Sequence, residues 1–456
     1  MTMKHIFQKI LFISIMALFA LSAVPVEIAA GISSFPGAKG YGAQTPGGRG
    51  GKVFQVTTLA DYHPEYDKPI PGSFRAAAEA HGPRIVVFRI GGVIDLKYII
   101  NITQPCITIA GQTAPGEGIC FRNYGIRVKT HDVIIRYVRI RPGDINPADD
   151  ALWVYASQNV VIDHVSTGWA NDETLSVTVN DPEPARCHNI TVQWSIISEC
   201  LNYDGHAFAS GLDSKDGGIS FHHNIFAHNK TRNPRIASSP DYYVNLDFRN
   251  NVLYNWGNSP CGYSGGPAEG QININYVGNF LKPGPSTTEN YRRTAFEPGG
   301  KHVKIYAVDN FIAEYLQAVV ENRLMFDESK GVTWLSKPVM CPEVTTDDVF
   351  AAYSKVLLSA GATLPIRDEV DLRIIKDITL GTGKLINSQK EVGSWPEYRS
   401  AQPPADTDKD GMPDYWETRY GLDNKNNRDG NYDNDKDGYT NIEEYLNVTN
   451  PLKKQK

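Results

Sequence analysis

Arg232-Asn233-Pro234-Arg235 closes a stretch, Ile219 to Arg235, whose residue types are unusual for a core element. The stretch opens on a β-alternating run, Ile219-Ser220-Phe221-His222-His223-Asn224-Ile225-Phe226, and then crosses a polar patch. Proline forbids continued strand pairing and fixes the turn. Two arginines on a stiff turn are placed to meet an anion. The whole chain carries a formal net charge of −6, which argues against a general nucleic-acid or membrane-surface binder. A polyanionic ligand would need locally gathered positive charge or a bound metal.

A second chemistry is written near the C-terminus. Asp406, Asp408, Asp410, Asp414 and Glu417 surround Gly411, and Asp433, Asp435, Asp437, Asn441 and Glu444 surround Gly438. Both sets put oxygen ligands at loop positions 1, 3, 5, 9 and 12 with glycine at 6, the calcium-loop spacing. Pro413 stands where an EF-hand usually carries a β-branched residue that pairs two loops. The reading is a structural calcium module rather than a sensor.

The elements that must position these groups are short strands. Val133–Ile140, Asn159–Ser166, Asn189–Ile196 and Phe221–Phe226 are β-rich runs, most with an asparagine or aspartate before a second apolar run. Asn224, Asn251, Asn279 and Asn310 recur at about one solenoid coil. Such a period implies stacked units burying a continuous core. Asparagines stacked at a coil corner would satisfy one another and the turn backbone. The expected fold is all-β, a right-handed parallel β-helix with a small C-terminal calcium-loop module; a β-propeller is the alternative. Ser73 caps a short expected helix, and 347–358 has helical spacing. The segment up to Tyr398 reads as a cover wrapped over the solenoid.

Residues 1–30 read as a secretory signal, with Lys4 and Lys9 before an apolar run from Ile10 to Val24 and small residues after it. The expected domains are therefore 1–30, a solenoid over 31–400 and a tail over 401–456. The mature protein is expected to be exported, extracellular or periplasmic, without membrane insertion, and monomeric. Six cysteines permit disulfides in that compartment, Cys106/Cys120 and Cys187/Cys200 being the close pairs, or else are buried thiols.

Taken together these residues resemble the pectate lyase superfamily, polysaccharide lyase family 1. The resemblance rests on Gly48–Val53, Thr57–Asp61, Gly72–Arg75 and Thr108–Gln112. It continues through Asp149-Asp150-Ala151-Leu152 with Val161-Ile162-Asp163-His164, then His222-His223-Asn224 and Arg232-Asn233-Pro234-Arg235. It implies cleavage of 1,4-linked galacturonan (pectate or pectin) by calcium-assisted β-elimination. It puts Arg232 at the position of the proton-removing arginine, and Asp150 and Asp172 at metal-ligand positions. Ser176 stands where a third aspartate is usual, with Glu173 or Asp149 as its replacement. His206 stands where a lysine is common, and Ala237 where some members carry another arginine, for which Arg235 substitutes in part. Apart from the resemblance, Arg139 and Arg141 alternate onto one strand face near Asp149 and Asp150; they are expected to contact uronate groups, Arg141 with His206 and Arg235, or else to form a solvated outer face. The tail resembles the thrombospondin type 3-like repeats of secreted bacterial enzymes.

Two other classes stay open on the residues alone. A polygalacturonase-like hydrolase shares the fold, and Asp149-Asp150 fits one piece of its aspartate cluster, but no Gly-His-Gly follows. A non-catalytic polysaccharide-binding solenoid is the other.

Overall fold

The computed structural model describes residues 31–145, 150–179, 185–202 and 205–454. The signal-segment expectation for 1–30 lies outside them. Among the described residues no helix is long and apolar enough to cross a membrane.

The described residues wind as a parallel β-solenoid of three sheets with 11, 8 and 9 strands. A complete coil contributes one strand to each sheet, as in Gln158–Asp163, Ser166–Gly168 and Leu175–Thr178, and the coils at the two ends contribute fewer. Alternation within a strand decides which side chains enter the stack. In the first sheet Val160, Ile190, Ile219, Leu246, Ile274 and Ile305 align in register and are buried as one apolar column. A slip of one residue would turn that column outward, so burial fixes the register.

Two ladders hold the corner after the first sheet. Tyr137, His164, Trp194 and His223 adopt left-handed backbone, with φ of 55°, 53°, 49° and 57°. Their rings stack coil upon coil, 4.8, 6.2 and 4.3 Å between centroids. The asparagine expectation is met just beyond. Asn224 Nδ2 donates to Asn251 Oδ1 (3.1 Å), Asn251 to Asn279 (3.1 Å) and Asn279 to Asn310 (3.0 Å). Asn322 extends the ladder by one rung, accepting from Asn310 at 2.9 Å. Each of the four upper amides also donates to a strand carbonyl, so the buried corner leaves no polar backbone stranded there.

Three outer faces have different fates. The third sheet is roofed by two helices, Val349–Ser359 and Glu369–Leu380, whose Val356, Ile374 and Ile378 pack on Trp169, Ile196, Ile225 and Val252. The second helix was not foreseen within the expected cover, although Val370, Ile374 and Ile378 carry its spacing. The first strands of the first sheet are covered by the tail, where Met412, Trp416, Ile442 and Leu446 meet Ile85, Val87 and Ala110. The second sheet keeps an open outer face. All six cysteines are free thiols.

Candidate active site

Alternation along the second sheet sends Leu152, Val154, Leu175, Val177 and Leu212 inward. It leaves Trp153, Ser176, Gly211, Asp213, Arg235 and Ala237 on the open face, where they line a cleft of about 710 Å³.

Carboxylates gather where the chain turns into this sheet. Asp150 lies two residues before the strand Leu152–Tyr155, and Asp172 and Glu173 lie just before Leu175–Thr178. Adjacent coils therefore stack these turns, and one oxygen each of Asp150, Asp172 and Glu173 falls within 4.8 Å of the others. The Glu173 backbone N–H donates to Asp150 Oδ1 at 3.1 Å. Burial, then the charges of Glu173 and Asp172, push the Asp150 carboxyl well above its ordinary range. Burial also raises Glu173, against the opposing pull of Arg232. Repulsion of this kind among oxygen-only donors is what a hard divalent cation relieves, so the residues present fit calcium. The Ser176 hydroxyl hydrogen-bonds the Asp150 carboxyl, which works against the rise at Asp150, and accepts from Gly211 N at 3.3 Å. Asp149 lies outside the described residues.

Arg232 sits two coils beyond Glu173, with a left-handed φ of 60°. Its turn is anchored on both sides, by Thr231 Oγ1 donating to Pro260 O (2.7 Å) and Asn233 Nδ2 donating to Cys261 O (3.1 Å). Nη1 pairs with Glu173 Oε1, Nε donates to the Tyr263 hydroxyl at 3.2 Å, and the guanidinium lies 3.8 Å over the Phe208 ring. Burial works to lower the Arg232 pKa, but Glu173 and Tyr263 outweigh it and hold it above the usual arginine value.

The expected substrate contacts divide. His206 stands at the cleft with Nδ1 2.8 Å from Asp172 Oδ1. Arg235 projects from the strand Arg235–Ser238 beside Gly211 and Tyr263 and pairs with Glu269 at 3.2 Å. Arg141 is a correction. It belongs to the roofed third-sheet side, is 2% exposed, and pairs with Asp368 and with Asp371 (2.7 Å). The helix Glu369–Leu380 closes over it, so it braces the cover and is out of a ligand's reach.

In the tail, Asp408, Asp410 and Glu417 converge as the loop spacing expects, and Asp433, Asp435 and Asp437 form a second group. Asp414 does not join them: both its carboxylate oxygens accept from Thr407, from N and Oγ1, each at 2.7 Å. Sequence reasoning missed Asp429, which takes its place in the first group. At the cleft it missed Tyr263, Phe208, Trp153 and Arg127. The outward aromatic in Leu152-Trp153-Val154-Tyr155 was the available signal; nothing local marks Tyr263.

No family model matches the chain. A probable pectate lyase C of Aspergillus flavus is 34% identical over 429 residues, covering 92% of this chain and 94% of the relative. The chain belongs to the pectate lyase family. A second pectate lyase relative, the probable pectate lyase C of Aspergillus fumigatus, is 36% identical over 442 residues, 95% of this chain and 97% of its own. Among solved structures, a pectate lyase bound to hexasaccharide gives a TM-score of 0.48 at 14% identity, covering 73% of this chain and 99% of that one. Both pectate lyase C matches extend over at least 92% of this chain.

Proposed function

We propose that this chain is a secreted pectate lyase that cleaves 1,4-linked galacturonan by β-elimination, with Arg232 at the proton-removing position and calcium at Asp150, Asp172 and Glu173. The observation that carries the reading is one juxtaposition. Arg232 is held on a stiff turn against a cluster of three carboxylates, in an open cleft along the second sheet.

The reaction removes the C5 proton of a galacturonate residue. The C4–O4 bond breaks, a C4–C5 double bond forms, and O4 leaves with a proton. C5 is acidified by its carboxylate, on which negative charge builds in the transition state. Calcium, when bound, supplies Lewis-acid neutralisation of that charge. The protein groups do the rest. Phe208 and Tyr263 fix the guanidinium plane of Arg232. Arg127, stacked 4.4 Å over Trp153, and Arg235 present cationic side chains along the same cleft to uronate groups. His206 reaches the cleft beside Asp172.

An arginine held above its ordinary pKa is a poor base until its counter-charge is shared. With a cation held by Asp150, Asp172 and Glu173, Glu173 shares its charge and loosens its pair with Arg232, leaving the guanidinium available to the C5 proton. The activity accordingly rises toward alkaline pH. The tail loops, Asp406–Glu417 and Asp433–Glu444, are read as further calcium sites, and the leader as an export signal.

The test uses the full chain with de-esterified polygalacturonate, followed by ultraviolet absorbance of unsaturated ends. A rise that needs calcium and vanishes with chelator is expected. Saturated reducing ends would make the chain a hydrolase, and no product a binding protein.

A further inference from the structure

The tail carboxylates are buried in a way that hydrogen bonding does not explain. Glu417 is 0% and Glu444 1% exposed, and among the described residues neither carboxylate has a hydrogen-bond partner for either oxygen. Asp410 and Asp429, 4% and 5% exposed, each carry one buried oxygen without a hydrogen-bond partner among the described residues, as do Asp406, Asp408 and Asp435. Buried charge is retained where it is paired or bound to metal. Asp408, Asp410, Glu417 and Asp429 aim one oxygen each into a common space, all within 4.8 Å.

Asp429 does not belong to either loop. It comes from the short turn Asp429–Asn431 between them. Its Oδ2 accepts from Asp423 N (3.0 Å), which leaves Oδ1 for the cluster. Its backbone carbonyl accepts from Asn441 Nδ2 (2.8 Å), in the second loop. One residue thus reaches the first cluster with its side chain and the second loop with its backbone.

The groups that grip the solenoid alternate in sequence with the ligands. Met412 follows Asp410, Trp416 precedes Glu417, and Ile442 precedes Glu443 and Glu444. Met412, Trp416 and Ile442 lie on Ile85, Val87 and Ala110. Glu443 forms a buried bidentate pair with Arg49, Nε to both oxygens at 2.8 and 2.9 Å. Asn431 Nδ2 donates to Gly51 O at 3.3 Å.

We propose that Asp429 completes a divalent-cation site of the calcium class with Asp408, Asp410 and Glu417, and that cation binding there locks the tail as a clamp on the first coils. The proposal rests on the reading of the tail loops as calcium sites. It goes further in replacing Asp414 by Asp429 and in naming what the clamp holds.

The test is calcium titration calorimetry on the full chain carrying Asp150→Asn, which disables the cleft cluster. Asp429→Asn and Asp414→Asn are then added separately. Asp429→Asn is expected to weaken calcium binding by about tenfold or more, the cost of losing one charged ligand, and Asp414→Asn to leave it within about threefold. No calcium bound by the Asp150→Asn chain would overturn the reading of the tail itself. Calcium bound normally by Asp429→Asn would overturn the ligand assignment alone. Hydrogen exchange on the unaltered chain tests the clamp: stripping calcium should lower protection in Lys52–Val56 and Arg84–Phe88. Unchanged exchange in those two strands would rule the clamp out.

Discussion

Arg232 and Glu173 are paired across two coils, so this arginine of the cleft is neutralised by a carboxylate of the adjoining metal-fitting cluster. The pairing links the two halves of the proposed chemistry. What draws Glu173 away from Arg232 also frees the guanidinium. Arg232→Lys keeps the charge but loses the planar fork that Phe208 and Tyr263 orient. Turnover on polygalacturonate should fall about a hundredfold or more, with an unchanged melting temperature. Turnover like that of the unaltered protein would remove Arg232 from the role.

Arg141 separates stability from activity. Its buried pairs with Asp368 and Asp371 join the third sheet to the cover. Arg141→Ala leaves buried Asp368 with Arg139 (3.2 Å) and the Tyr398 hydroxyl, and Asp371 with the Ser166 hydroxyl but, among the described residues, no cation of its own, and should cost about 3–5 kcal/mol of unfolding free energy. Turnover per folded molecule should hold. A selective loss of turnover without destabilisation would return Arg141 to the cleft.

The asparagine ladder is expected to be intolerant of isosteric apolar replacement. Asn251 accepts from Asn224 N and donates to Phe221 O and Asn279 Oδ1. Asn251→Leu leaves several buried groups unpaired, at about 1–3 kcal/mol each. Chemical denaturation measures the loss; a change under about 1 kcal/mol would mean that the corner repairs itself.

Acid should loosen the stacked corner. Burial lowers His223 to about 4, with Asp347 opposing and Lys355 and Arg249 assisting, and burial lowers His222 further. A histidine depressed in the folded state binds protons more readily when unfolded, so stability rises with pH. The contribution is complete above the free-histidine value and is lost as pH falls from about 6.5 to about 4. His223→Asn, which tolerates the left-handed backbone, should flatten the fall in melting temperature over that range. An unchanged slope would assign the acid sensitivity to other groups.

Deleting the tail after Ser400 should not yield a well-behaved solenoid. Ile85, Val87 and Ala110 would face water, and Arg49 would lose Glu443. A lower melting temperature and concentration-dependent aggregation are expected, by light scattering. A monodisperse truncated chain with the same melting temperature would show that the tail adds nothing to the fold.

Much of this was legible in the residues. The coil period, the asparagine ladder and the oxygen spacing of the tail loops are local patterns, and each repeats. Repetition makes them readable, because each copy needs the same side chain for the same backbone problem. Arg232-Asn233-Pro234-Arg235 announced itself by breaking that pattern. Arg139 and Arg141 misled, because alternation tells which face a residue takes but not what covers that face.

By itself the sequence determined the solenoid, the turn that carries Arg232, and a tail built of oxygen-rich loops. Each is set by neighbours within one coil or one loop. Only the tertiary structure decided that Glu173 joins Asp150 and Asp172, with the Ser176 hydroxyl beside Asp150, and that Tyr263 holds Arg232. It also decided that Asp429 displaces Asp414 and that Arg141 lies under a helix. Those outcomes depend on which coils stack and which segments fold back over them. Contacts between residues roughly 10 to 230 positions apart are fixed by packing, and local spacing cannot encode them.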